Sequence, residues 1–585
     1  MAVDVVALAD QGRILDYLLP SSMAEGVVIG TMVRVPLHGR RVAGWIVGFD
    51  AEPPSNVRLQ RVTTVSGMGP PPDVVDLTSW AAWRWAGRRT ALLRAASPER
   101  AVRRLPPPPV SGPAGIASSD RPVEDDLARR ALSVRQAVVR LPPAADLVGL
   151  VVGLASERPA LVISPSLSSS RRLAAGLRRA GIPVALLPDG WAQAAAGGRT
   201  VVGARGAVWA PTPGIGVVVV VDAHDGGLVE ERAPSWSAWV VAAERARRLG
   251  VPCVLVSACP LLEHLRWGAL ILPDRSVERE GWAPLEILDR RRDDPRAGLL
   301  GERLVHTLRA ATLERRVVCV LNRKGRVRLL ACRACGSLAV CEHCAGSMEE
   351  IDPTSLRCRR CSRARPSICQ GCGSTSLRAL RSGVSKVRED LEALARMPVG
   401  EVTSAVSDLP PAPVLIGTEA VLHRMEAAAV RTGAVVFLEF DAELGAPRFR
   451  AAEDALALLA RASRLVGGRP GGGRVVVQTR QPDSGVIDAA LRADPGRLST
   501  SELAVRTDLD LPPATALAEL TGDPVRTAAL AAHLPTSVEV IGPSEGRWIM
   551  RGRDHRTLCD ALAAAGRPTG SPGSRLRVDV DPLRV

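Results

Sequence analysis

The sequence predicts a multidomain α/β protein with an inserted metal-binding module, on three observations. The chain has 585 residues, too many for a single core. From about residue 126 to residue 480, short apolar runs of strand character alternate with amphipathic helical patterns, as in parallel sheets joined by crossover helices. The alternation is interrupted once, where eight of the twelve cysteines form four C-x2-C pairs between Cys332 and Cys372.

Taken in order, residues 1–104 open with strand-like VVIG, MVRVPL and RRVAGWIVGF, separated by Gly and Pro, and continue into a helical pattern over 73–104. They predict a small β-rich N-terminal domain. Residues 105–125 are a Pro/Gly/Ser linker. Residues 126–290 predict a first α/β lobe, with helices at 126–141, 169–180 and 239–248, and strands at 160–164, 184–187, 200–202, 217–221 and 252–257. Residues 291–485 predict a second lobe, with strands at 317–321, 414–416, 434–438 and 474–479, helices at 386–395 and 451–464, and the insertion at 332–372. Residues 486–585 are mixed α+β and end in the strand-like RLRVDVDP. Two α/β lobes in tandem outline a helicase-type motor, an outline other folds share.

The first twenty residues have neither a basic start nor a clean apolar core, so no secretory signal is expected. The longest apolar runs, 148–155 and 215–221, are under half a membrane span, and a cytoplasmic chain with no membrane partner is expected. The net charge of +15 favours a polyanionic partner such as nucleic acid over an acidic one, a solvated basic surface being the other reading. Nearly all of that charge is arginine; the only lysines are Lys324 and Lys386.

In a reducing compartment C-x2-C pairs are metal ligands rather than disulfides. The pairs are Cys332/Cys335, Cys341/Cys344, Cys358/Cys361 and Cys369/Cys372. Two such knuckles complete one tetrahedral thiolate site. Pairing neighbours leaves five residues between the first two knuckles, whereas pairing the inner two gives C-x2-C-x13-C-x2-C. The nested arrangement is therefore favoured: one Zn2+ on Cys332, Cys335, Cys369 and Cys372, the other on Cys341, Cys344, Cys358 and Cys361. An iron–sulfur centre is the alternative. With every position filled by thiolate, neither metal has an open site for catalysis. His343 is surplus to both sets, and Cys253, Cys259, Cys319 and Cys559 are expected in the core.

The string VLNRKGRVRLLACRACG that leads into the module resembles the entrance to the zinc insertion of the PriA (primosomal protein N′) replication-restart helicases. Further matches run in family order: VVGARGAVWAP (201–211), VVVVVDAHDGG (217–227), VSACPLLE (256–263), VLIGTEAV (414–421), LEFDAELGAPRFRAAEDA (438–455) and VVVQTRQPDSGVI (475–487). ILDYLLP (14–20) and IGTMVRVPLHGRRVAGWIVG (29–48) resemble the family's domain that grips a DNA 3′ end. The resemblance implies two RecA-like helicase lobes, degenerate here. It also implies a 3′-end pocket lined by Asp16 and Tyr17 with Gly30 on its wall, a carboxylate for the 3′-OH and a ring for the last base. Gln60 falls where the family has a basic pocket residue, with Arg61 beside it. Without the resemblance, Asp16 and Tyr17 read as a turn residue and a half-buried aromatic.

The departures from the family bear on activity. A P-loop, G-x4-G-K-S/T, belongs just before ALVISP, and LPPAADLVGLVVGLASERP stands there without a lysine. The family's DEEH is Asp222-Ala223-His224-Asp225: Asp222 could hold magnesium, but Ala223 replaces the glutamate that orients water. RASRLVGGRPGGG (461–473) keeps arginines but not the family's sixth motif, and GGLVEERAPSWSAW replaces its aromatic-rich loop. Asp222 and His224 are thus a nucleotide-site remnant, ATP is not expected as a cofactor, and no catalytic residue is assigned.

The expected function is binding of branched DNA at stalled forks and promotion of primosome assembly for reloading of the replicative helicase, near the nucleoid. Expected partners are primosome and helicase-loading proteins and single-stranded DNA-binding protein. Arg323, Lys324, Arg326 and Arg328 read either as a DNA or partner contact or as a solvated face. Two other readings stand beside this one: an ATP-dependent 3′–5′ helicase with a divergent nucleotide site, and a zinc scaffold acting away from DNA.

Overall fold

The computed structural model describes residues 1–5, 14–49, 58–109, 122–293, 299–301, 303–322, 330–379, 384–402, 408–566 and 575–583. Most of the linker and the run Arg323, Lys324, Arg326 and Arg328 lie outside the described residues, as does the side chain of Lys386.

Two wholly parallel sheets form the centre. The first has seven strands in the order Ala269–Ile271, Gln136–Arg140, Cys253–Ser257, Val217–Val221, Ala160–Ile163, Thr200–Gly203 and Val184–Leu186. The second has six: Leu285–Asp289, Arg474–Thr479, Thr432–Phe437, Arg316–Val320, Val414–Gly417 and Val399–Val402. Helices cover both, so the central strands are buried on both faces, and all five residues of Val217–Val221 are buried. This is why they read as unbroken valine runs rather than as alternation. The two α/β lobes expected from the sequence are these two layered units.

Several boundaries differ from those predicted. The segment 126–141 is not one helix: a helix covers Pro122–Leu132 and Gln136–Arg140 is an interior strand. The helical pattern of 73–104 breaks at Ala86, whose φ is +43°, into Pro72–Arg84 and Arg89–Ala96. VVIG lies in a turn, and the N-terminal antiparallel sheet is Ile14–Asp16, Ala2–Val5, Arg40–Gly48, Met32–Leu37 and Thr64–Gly67. Leu285–Asp289 pairs with Arg474–Thr479, so the second lobe begins before residue 290. The helix Gly485–Leu491 and Leu498 pack in the second lobe's core, so the terminal unit starts after residue 486, at the antiparallel strand Ala516–Gly522.

That terminal sheet, ordered Val538–Ser544, Arg547–Gly552, Ala516–Gly522 and Leu576–Val580, shares one core with the first lobe and the N-terminal helices. Trp85, Trp209 and Trp236 meet Leu520, Met550 and Leu558 there. Arg84 in the N-terminal helix pairs with Asp581 at 2.6 Å, across the whole length of the chain. Among the described residues no helix is long and apolar enough to cross a membrane.

Candidate functional sites: the interlobe cleft, the cysteine module and the N-terminal sheet

The strand Val217–Val221 ends at Asp222 in a left-handed turn, φ +50°, which carries Asp222 and Asp225 toward the second lobe. The helix Ala451–Leu465 faces them, with Arg461 and Arg464 three residues apart and so on one face. Arg464 grips Asp222 with both terminal nitrogens, at 2.8 and 2.5 Å. Arg461 pairs with Asp225. Glu426 of the second lobe lies 3.5 Å from Arg461 and 3.7 Å from Arg464, and accepts from Arg172 of the first lobe at 3.0 Å. Burial by itself would raise the Asp222 carboxyl; the charge and hydrogen bonds of Arg464, then His224 and Arg461, hold it well below the usual carboxylate range. His224 joins Ser257 Oγ through Nδ1 at 2.8 Å, and burial lowers its pKa despite the neighbouring carboxylates.

The place for a phosphate loop does not fit a nucleotide. Anion binding there needs unpaired backbone amides at a helix N-terminus. Pro142 and Pro143 have none, and Leu141, Ala144, Ala145 and Leu147 donate to carbonyls within the protein. The helix Leu147–Leu154 is capped by its own Asp146, which accepts from Gly149 N at 3.0 Å and puts a carboxylate where a phosphate would bind. Arg464 Nε donates to the Pro143 carbonyl at 3.0 Å, tying the same loop to the second lobe. The expectation that Asp222 could hold magnesium meets a competing fact: both of its oxygens are committed to Arg464. The sequence marked Asp222 and His224 but not Arg461 and Arg464 as their partners; the available signal was the i,i+3 spacing of both the acids and the arginines.

The eight cysteines form two groups of four, Cys332/Cys335/Cys369/Cys372 and Cys341/Cys344/Cys358/Cys361, the nested arrangement. Cross-knuckle sulfur distances are 3.6 and 3.4 Å in the first and 3.6 and 3.5 Å in the second. A tetrahedron of 2.3 Å zinc–sulfur bonds has edges of about 3.8 Å, so the donor sets fit a four-coordinate thiolate metal. Each knuckle closes with a backbone bond to the carbonyl of its first cysteine, donated by Gly336, Ala345, Ser362 and Gly373. All four donors have positive φ, between +55° and +74°. Two arginines fasten the module to the second lobe. Arg360 donates to the carbonyls of Cys344 at 2.7 Å and Leu444 at 3.1 Å. Arg480 donates to those of Arg290 at 2.6 Å and Gly336 at 3.2 Å. His343, in neither donor set, lies 3.2 Å from the Asp508 carboxylate. Cys253, Cys259, Cys319 and Cys559 are buried, as expected.

In the N-terminal sheet Tyr17 is 4% exposed, packed on Val3, Val5, Val33 and Ile46, and its hydroxyl donates to the Pro36 carbonyl at 3.0 Å. Its ring is therefore a core element rather than a face open to a base, a correction to the pocket expected from sequence. Asp16 is partly exposed at the end of its strand, and two residues on Leu18 pairs with the exposed Gln60–Arg61 segment. Gly30, φ +93°, has the Pro70 carbonyl oxygen 1.7 Å from where a Cβ would stand, so only glycine fits.

Fold and sites together define a two-lobed α/β protein with two four-cysteine groups and an interlobe cleft lined by paired charges. Residues 3–98 match the family model PriA_3primeBD, described as a 3′ DNA-binding domain. Over most of its length the chain is similar to replication restart proteins PriA. It is 28% identical over 622 residues to the "Probable replication restart protein PriA" of Mycobacterium leprae, covering 97% of this chain and 93% of that one. It is 26% identical over 383 residues to the "Replication restart protein PriA" of Bacillus subtilis, covering 59% and 47%. Of solved structures, RecG bound to a three-way DNA junction aligns at 10% identity over 65% of this chain and 46% of that one; its TM-score of 0.35 is too low to carry weight.

Proposed function

We propose that the chain acts in replication restart as a DNA-binding platform without a motor: it binds branched DNA at abandoned forks and promotes primosome assembly for reloading of the replicative helicase. The observation that supports the motor-free part is the cleft, where Arg464 binds both oxygens of Asp222 and Asp146 caps the helix Leu147–Leu154. The DNA part is supported by the match of residues 3–98 and by the net charge of +15.

In this reading the two four-cysteine groups hold structural zinc, which fixes the knuckles and supplies folding energy rather than chemistry. The module is then a rigid face for primosome proteins and single-stranded DNA-binding protein. Asp16 accepts a hydrogen bond from the terminal 3′-OH, with Gln60 and Arg61 beside it, while Tyr17 and Gly30 shape the sheet that presents it. The protein works in the cytoplasm, associated with the nucleoid.

The test is a fork titration on zinc-loaded protein, with ATP turnover measured alongside. Forks with a free leading-strand 3′ end should bind better than blunt duplex, and Asp16→Ala should weaken fork binding about tenfold, the value of one charged hydrogen bond. Equal affinity for blunt duplex, unchanged in Asp16→Ala, would refute the fork reading. DNA-stimulated ATP hydrolysis that disappears in Asp222→Ala would instead establish the divergent helicase.

A further inference from the structure

We propose that the former nucleotide cleft is a permanent latch, in which the chain's own side chains hold the two lobes closed. The proposal rests on the reading of the cleft as non-hydrolytic and goes on to say what the cleft now does. In a two-lobed nucleotide motor the γ-phosphate and its metal supply the charge that both lobes grip, so closure is released on hydrolysis. Here that charge belongs to the protein. The first lobe contributes Asp222, Asp225 and Arg172; the second contributes Arg464, Arg461 and Glu426. Each faces its opposite across the interface, giving three interlobe ion pairs in one patch.

The geometry favours a fixed contact over an incidental one. The Asp222–Arg464 pair is bidentate, and its side chains are 10% and 27% exposed. The Asp225–Arg461 pair is 9% and 14% exposed. Planar two-point recognition of a carboxylate by arginine fixes orientation as well as distance. Asp225 is itself steadied by Gly227 N, which donates to Oδ1 at 2.7 Å. Arg464 also holds the Pro143 carbonyl, so the loop that would have received phosphate is part of the closure. A second set joins the lobes farther along: Glu453 accepts from Leu262 N at 2.9 Å, and Arg450 meets Glu263 at 2.9 Å. Removing one partner of a largely buried pair leaves the other charge without its counter-ion, which is destabilising.

Hydrogen exchange on the full-length, zinc-loaded protein, with and without Mg2+–ATP, tests this. Wild type should show the same protection in residues 141–155 and 222–228 in both conditions. R461A/R464A should exchange at least about tenfold faster in those two segments, with the first lobe's other strands unaffected. The isosteric pair D222N/D225N, which keeps shape and removes charge, should do the same and decides the matter if the alanine pair does not fold. Wild-type exchange in every folded variant overturns the latch, as does a wild-type cleft that becomes protected only when ATP is added. The failures are separable: loss of the latch result with intact fork binding and no hydrolysis leaves the proposed function standing, whereas ATP turnover defeats the reading on which both rest.

Discussion

Two of the four cysteine knuckles carry a built-in cost that a single mutation should remove. Ala345 and Ser362 occupy the left-handed position that Gly336 and Gly373 fill in the other two, at φ +55° and +59°. Both are exposed, so neither side chain contributes packing that glycine would lose. A non-glycine residue there is strained by about 1–2 kcal/mol. Glycine gives back about 0.5–1 kcal/mol through the extra freedom of the unfolded chain. The net expectation is a gain of about 0.5–1 kcal/mol for Ala345→Gly and for Ser362→Gly, and about twice that for the pair. Because folding of such a module and metal binding are one equilibrium, each gain should appear as roughly two- to fivefold tighter zinc binding in chelator competition. Gly373→Ala, with open space around the new methyl, should lose about 1 kcal/mol. Gly336→Ala should lose more, since its Cβ would stand 2.8 Å from Arg480 Nη1 and 3.1 Å from the Arg291 carbonyl. Weaker zinc binding in Ala345→Gly, or no penalty in Gly373→Ala, would refute the strain account.

Other expectations follow from the same contacts. A thiol reagent should find eight additional reactive cysteines after chelation, while Cys253, Cys259 and Cys319 stay silent until unfolding, because burial pushes the Cys319 thiol up to about 12 and the other two higher; early labelling of Cys319 would contradict its burial. Asp581→Asn should cost about 3 kcal/mol at neutral pH by leaving Arg84 buried and unpaired. Burial would raise the Asp581 carboxyl, but Arg84 and His555 depress it below its unfolded value. Its contribution is therefore complete above about pH 3.8 and fades as the pH falls toward the folded value. Urea midpoints of the two proteins should converge in acid, and a constant gap would exclude the linkage. Tyr17→Phe should cost about 1 kcal/mol, the value of the lost bond to Pro36, and leave fork affinity unchanged; reduced fork affinity at full stability would return the ring to the DNA site.

Parts of this protein are legible from sequence because they depend on spacing along the chain. Valine runs between amphipathic helices mark strands buried on both faces, and the two parallel sheets follow from them. Four knuckles with fixed intervals leave few ways to close two tetrahedra, so the nested cysteine groups were already in the numbering. Local pattern fails where neighbours in space decide: Gln136–Arg140 continues a helical pattern until sheet partners at Cys253–Ser257 and Ala269–Ile271 claim it. Leu285–Asp289 belongs to the second lobe only because Arg474–Thr479 offers it an edge. Tyr17 reads as a ligand residue in its motif, yet the apolar side chains around it make its ring core. The cleft is the extreme case. Set against the family it resembles, the sequence shows no G-K-S/T motif and has Ala223 after Asp222, because such absences are visible without a fold. That Asp222 is gripped by an arginine 242 positions away is decided by tertiary structure, since isolated charges read as solvated until the fold removes their water and leaves them only each other.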